Sequence, residues 1–99
     1  MKRIMDYVDA IHEELCDAKH YAEEALYFKA SGKQQEARWY AEMANDELRH
    51  ADHIHSMAVD EINILEGTYK PTQEMIDKWQ HSHAEYVEKT AWVKQMLAM

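Results

Sequence analysis

Three side chains in this 99-residue chain have the types and the spacing to hold a metal ion: Glu14, Glu47 and His50. Each interrupts a stripe of apolar positions at helical spacing. The first stripe is Tyr7, Ile11, Glu14, Ala18, Tyr21, Ala25 and Phe28; the second is Tyr40, Met43, Glu47, His50, Ile54 and Met57. A carboxylate or imidazole on such a face carries a desolvation cost unless something compensates it. A cation does so, because it neutralises the carboxylates and takes the imidazole lone pair. Glu47 and His50 stand three residues apart, so they leave one helix face together and can grip one ion.

The elements that must position these residues are helices. Two glycines and one proline leave few places to turn, and good helix formers such as Ala, Glu, Leu, Met, Gln and Lys abound. Turn chemistry appears at SGKQ (Ser31 to Gln34), where Gly32 suits the left-handed position past a helix end. It appears again at EGTYKPT (Glu66 to Thr72), with Gly67 as a stop, Pro71 as a breaker and Thr72 as an N-cap. These signals predict three helices, over roughly 3–30, 34–66 and 73–98. The short first connection makes helices 1 and 2 an antiparallel hairpin. Counted from that turn, Glu14 lies about 18 residues back and Glu47 about 15 forward, so at about 1.5 Å per residue they fall at nearly the same height.

Both hairpin helices carry a second stripe. It runs Ile4, Val8, Ile11, Leu15, Ala18, Ala22 and Leu26 on the first, and Ala37, Ala41, Ala44, Leu48, Ala51, Ala58, Ile62 and Leu65 on the second. Two stripes make a face wider than one partner covers, so each helix needs at least two neighbours. The third helix is amphipathic, with Ile76, Trp79, His83, Tyr86, Val93 and Leu97 in line. It could fill one of the open faces or be covered by a second copy of the chain. The expectation is a single all-α domain, residues 1–99, of a helical hairpin plus a third amphipathic helix.

One Glu and one E-x-x-H make half of a bundle carboxylate site, which takes a Glu from each of two helices and E-x-x-H from each of two others. The third helix has no second E-x-x-H, only Glu85, Glu88 and the off-pattern His81 and His83. A two-fold dimer of hairpins would bring four carboxylates and two imidazoles together. Such an oxygen-rich site suits iron or manganese, with zinc a further occupant.

The other polar residues read as less specific. Asp17 and His20 repeat the carboxylate-x-x-His spacing and are expected to be exposed, with an entry site for metal as the alternative. Asp52, His53 and His55 read as a cluster at the surface or just outside the metal ligands, and His83 as a hydrogen-bonded core histidine. Met43, Met57, Met75 and Met96 read as gap-fillers in a core or subunit interface, and Trp39, Trp79 and Trp92 as interface or core anchors. Cys16 reads as a small apolar residue with no base to activate it. Being the single cysteine, it excludes an internal disulfide, a CxxC pair and a four-cysteine iron site. A reducing, cytoplasmic setting is the expectation. A net charge of −8 argues against nucleic acid and anionic membranes as partners. The start, MKRIMDYVDAIHEEL, meets Asp6, Asp9, Glu13 and Glu14 before any apolar run, so no signal peptide is expected, and no run approaches a membrane span.

The segment from Glu14 to Ala51 resembles the first helical hairpin of rubrerythrins and other ferritin-like proteins. The matching elements are Glu14, Tyr21 seven later, Gly32 in the turn and an aromatic at Tyr40. Glu42, Ala44 and Asp46 then lead into E-L-R-H-A at Glu47 to Ala51. The resemblance implies that Glu14, Glu47 and His50 are di-iron ligands and that Tyr21 lies close to them as a hydrogen-bond donor or one-electron relay. It also implies Fe(II) oxidation by dioxygen or peroxide, the work of a ferroxidase or a peroxidase-like oxidoreductase. The chain departs from the family in having no fourth helix, no second E-x-x-H and no rubredoxin cysteines. In these respects it is similar to the encapsulated ferritin-like group, whose hairpins complete a di-iron site across a subunit interface. That likeness implies a homodimer or higher homo-oligomer forming a ferritin-like four-helix bundle. The ending AWVKQMLAM carries no obvious targeting tail of that group. The alternative is a helical oligomerisation or interaction module whose metal site is structural or vestigial.

Overall fold

The computed structural model describes residues 2–68 and 70–99, and among them all regular structure is helical. Helix α1 spans Lys2–Ala30, α2 Gln34–Glu66 and α3 Gln73–Leu97, each end within a residue of the expected one. The turn between α1 and α2 closes with Lys33 N–H donating to Phe28 C=O at 2.9 Å and Gly32 N–H to Lys29 C=O at 3.2 Å. This double bond pattern needs a left-handed residue, and Gly32 supplies it at φ +76. The second turn works differently. Gly67 stays right-handed at φ −77, and the last carbonyls of α2 are met by Gly67 N–H and by Thr68 N–H and Oγ1. Tyr69 lies outside the described residues. Thr72 then caps α3, its Oγ1 accepting from Met75 N–H at 3.2 Å.

The chain is a rod of 55 × 17 × 17 Å, of which the 33 residues of α2 account for about 50 Å at about 1.5 Å per residue. The two hairpin helices pack along their whole length through the alanine-rich stripe of α2. Ala44, Leu48 and Ala51 lie buried against Ile11, Leu15, Ala18 and Ala22 of α1, and Val93 and Met96 of α3 close the same core. The small side chains let the helix axes approach closely, so the core is narrow and continuous. Among the described residues no helix is long and apolar enough to cross a membrane.

Helix α3 settles on one side of this hairpin, chiefly against α1. It runs parallel to α1: His12 meets Glu85, Lys19 sits 4.7 Å above the Trp92 ring, and Lys29 Nζ donates to the Met99 carbonyl at 2.6 Å. Its contact with α2 is narrower, through Asp52 and His55. At about 100° per residue, Glu14 points roughly away from the His12, Cys16 and Lys19 side of α1. The third helix therefore lies on the side of α1 away from Glu14 and does not cover the side of the hairpin that carries Glu14, Glu47 and His50.

Candidate metal centre

The near-equal heights of Glu14 and Glu47 around the Gly32 turn become proximity once α1 and α2 pack. Glu14, Glu47 and His50 offer ligand atoms that all lie within 4.8 Å of one another. His50 Nδ1 stands 3.5 Å from Glu14 Oε2 and 3.6 Å from Glu47 Oε1. The two carboxylates are half-buried between the helices, and His50 is exposed at their outer edge. The cluster thus has a floor in the hairpin and a mouth on the open face.

Its electrostatics are those of a site short of positive charge. Glu14 Oε2 is sealed from solvent and, with both carboxylates ionised, accepts no hydrogen bond among the described residues. The Glu47 carboxyl is pushed up to about 7, first by hydrogen bonding to Glu14, then by burial and by the charges of Glu14 and Asp17; the nearby His50 only partly offsets this. Two carboxylates held together in a half-buried place share a proton when nothing more positive is present. A divalent cation would replace that proton, satisfy the buried oxygen and engage the imidazole. The donor set of two carboxylate groups and one imidazole fits iron or manganese, and zinc as well.

Tyr21 lies on the same stripe as Glu14, about two turns along α1. It is half-buried in a row of rings, 6.1 Å from Tyr40 and 5.8 Å from His20, with Phe28 stacked on Tyr40 at 5.5 Å. Met43 and Met57, on the ligand stripe of α2, are 39% and 45% exposed, so the methionines flanking the cluster look outward. Met75 and Met96 are buried as expected.

Several expectations need correction. His83 is no core histidine: it is exposed and bonds His55 Nε2 through Nδ1 at 3.0 Å. His55 is more than part of a surface cluster. It is half-buried in the α2–α3 seam, stacked 4.2 Å from Tyr86 and 5.3 Å from Trp79, while Asp52 accepts a hydrogen bond from Tyr86. Its depth and the neighbouring His83 hold the His55 imidazole below its ordinary value. Trp79 packs on the core, whereas Trp39 and Trp92 are about half exposed, at 54% and 50%. Cys16 is exposed, and His12 Nε2 lies 3.6 Å from its sulfur, so a base does stand beside it. Asp17, His20, His53, His81 and Glu88 are exposed; Glu85 pairs with His12 and Lys89. The pairings His12–Cys16 and Glu85–Lys89 were visible as i,i+4 spacings, but only the seating of α3 brings them face to face.

No family model, curated protein or solved structure matches this chain. The functional reading therefore rests on the residues and their geometry.

Proposed function

We propose that this chain is a di-iron carboxylate protein that oxidises Fe(II) with dioxygen or peroxide, its site completed by a second copy of the chain. The observation that carries the reading is the Glu14, Glu47 and His50 cluster, gathered within 4.8 Å on the face that α3 leaves open. The buried, unpartnered oxygen of Glu14 supports a cation there. One chain supplies two carboxylates and one imidazole, half of a two-ion bundle site. The exposed Met43 and Met57 lie in heptad register with Glu47 and His50, a seam that a two-fold copy of the hairpin would bury.

Two iron ions held by Glu14, Glu47 and His50 of two chains would supply one electron each: peroxide with two protons would give two waters, and dioxygen with two protons would give hydrogen peroxide. Glu14 and Glu47 bind and neutralise the cations, and His50 adds a nitrogen donor from the mouth of the site. The proton held by Glu47 leaves as the cation takes its place. Tyr21 acts as a hydrogen-bond donor or one-electron relay along the same stripe, and the acidic surface favours cation approach.

The test is aerobic addition of Fe(II) to the purified chain, followed by ferric absorbance and bound-metal analysis. Oxidation faster than in buffer, lost together with bound iron in Glu47→Ala, supports the reading. Buffer-rate oxidation with the same metal content in Glu47→Ala sinks it. Light scattering checks the assembly, since a chain that stays monomeric with metal present cannot complete the site. A dimer that binds metal without turnover is the oligomerisation module instead.

A further inference from the structure

Two residue pairs, each spaced i and i+4, meet in the groove between α1 and α3, on the side away from Glu14. From α1 come His12 and Cys16, and from α3 Glu85 and Lys89. His12 Nδ1 lies 2.6 Å from Glu85 Oε1, and the other ring nitrogen, Nε2, lies 3.6 Å from Cys16 Sγ. Lys89 Nζ stands 3.9 Å from the same sulfur and 3.7 Å from Glu85 Oε2. Cys16 and His12 are exposed, and Glu85 is half-buried beneath them.

The chemistry of the four groups is directional. Burial pushes the Glu85 carboxyl up, but the hydrogen bond and charge of His12, with Lys89 and His81, outweigh it and keep the group ionised. An ionised carboxylate only accepts, so His12 Nδ1 donates to Glu85, which sets the other ring nitrogen, Nε2, facing the thiol. A nucleophile, a base and a group that orients the base are the three parts of an activated side chain.

We propose that Cys16 is a reactive thiol that reduces hydroperoxides. Cys16 passes its proton to His12 Nε2, and the sulfur attacks the terminal peroxide oxygen. The S–O bond forms as the O–O bond breaks, and the departing alkoxide or hydroxide takes the proton from His12. The products are the Cys16 sulfenic acid and an alcohol or water. The chain has no second cysteine, so an external low-molecular-weight thiol must complete the cycle. One such thiol condenses with the sulfenic acid, releasing water and leaving a mixed disulfide; a second displaces Cys16 and leaves with the first as a disulfide.

The full chain is treated with hydrogen peroxide in the presence of a metal chelator and a sulfenic-acid trap, and the trapped fraction is followed by intact mass. Chelation separates this outcome from iron oxidation at Glu14, Glu47 and His50. The folded chain is expected to react about tenfold faster or more than the same chain in denaturant at the same pH. Glu85→Gln and His12→Ala bring the rate toward the unfolded value with helix content unchanged, and added imidazole restores it in His12→Ala alone. A folded rate no higher than the unfolded one overturns the proposal, as does a His12→Ala chain as fast as the parent.

Discussion

Glu14 Oε2 and His50 Nδ1 lie 3.5 Å apart across the α1–α2 seam, with Glu47 closing the triangle from the same turn as His50. The two sit on different helices, and the geometry of the Gly32 turn brings them level. Two carboxylates so placed repel unless a proton or cation lies between them. Glu47→Gln is therefore expected to stabilise the metal-free chain at pH 8, on the order of 1 kcal/mol. The same change should abolish the rise in melting temperature that manganese or anaerobic Fe(II) gives the parent chain. Thermal denaturation with chelator and with metal reads both effects.

The pH dependence follows from the sign of the Glu47 shift. Its carboxyl rises from an unfolded value of 4.5 to about 7 in the fold. Between these values the folded chain keeps a proton that the unfolded chain has lost, so this group's contribution falls as pH rises and is fully lost above 7. Denaturant titrations of the metal-free chain at several pH values should show that fall in the parent and not in Glu47→Gln.

His55 acts in the opposite direction. Burial and His83 depress its pKa below 6.5, so the folded chain holds it neutral where the unfolded chain takes a proton. Its contribution is intact above the unfolded value and declines as pH falls through and below 6.5. His55→Phe keeps a ring between Tyr86 and Trp79 but cannot charge. The variant should lose less stability than the parent between neutral and mildly acid pH, measured by the same titrations.

The core and the first turn can be weighed against each other. Leu15 is fully buried where all three helices meet, and Leu15→Ala should cost about 2–5 kcal/mol through lost contacts and the cavity left behind. A methyl group added at Gly32 would meet open space, but the backbone there has a φ of +76. Gly32→Ala should cost only about 1 kcal/mol, from backbone strain alone. Equilibrium unfolding of the two variants should rank them in that order.

Much of this was legible in the sequence because the signals are local. Helix ends follow from Gly32, Pro71 and Thr72 acting on their own neighbours, and the meeting of Glu14, Glu47 and His50 follows from helical phase plus near-equal distances from one turn. Misreadings fell where a residue's surroundings come from a distant element. Cys16 looked inert, and His55 and His83 exchanged places between core and surface, because each depends on where α3 lies. Nothing within α1 or α2 carries that information.

The sequence by itself determined three helices, a hairpin and which face bears Glu14, Glu47 and His50, since turn chemistry and a 3.6-residue period act over a few residues. Only the tertiary structure decided that α3 takes the opposite face. Both faces of the hairpin are apolar enough to receive an amphipathic helix, and the choice rests on summed contacts along α1 and α2: Val93 and Met96 in the core, the His55 stack and the His12–Glu85 pair. That one seating leaves the cluster of Glu14, Glu47 and His50 uncovered by α3, open to a second copy in the proposed assembly, and sets Cys16 beside a base on the other side.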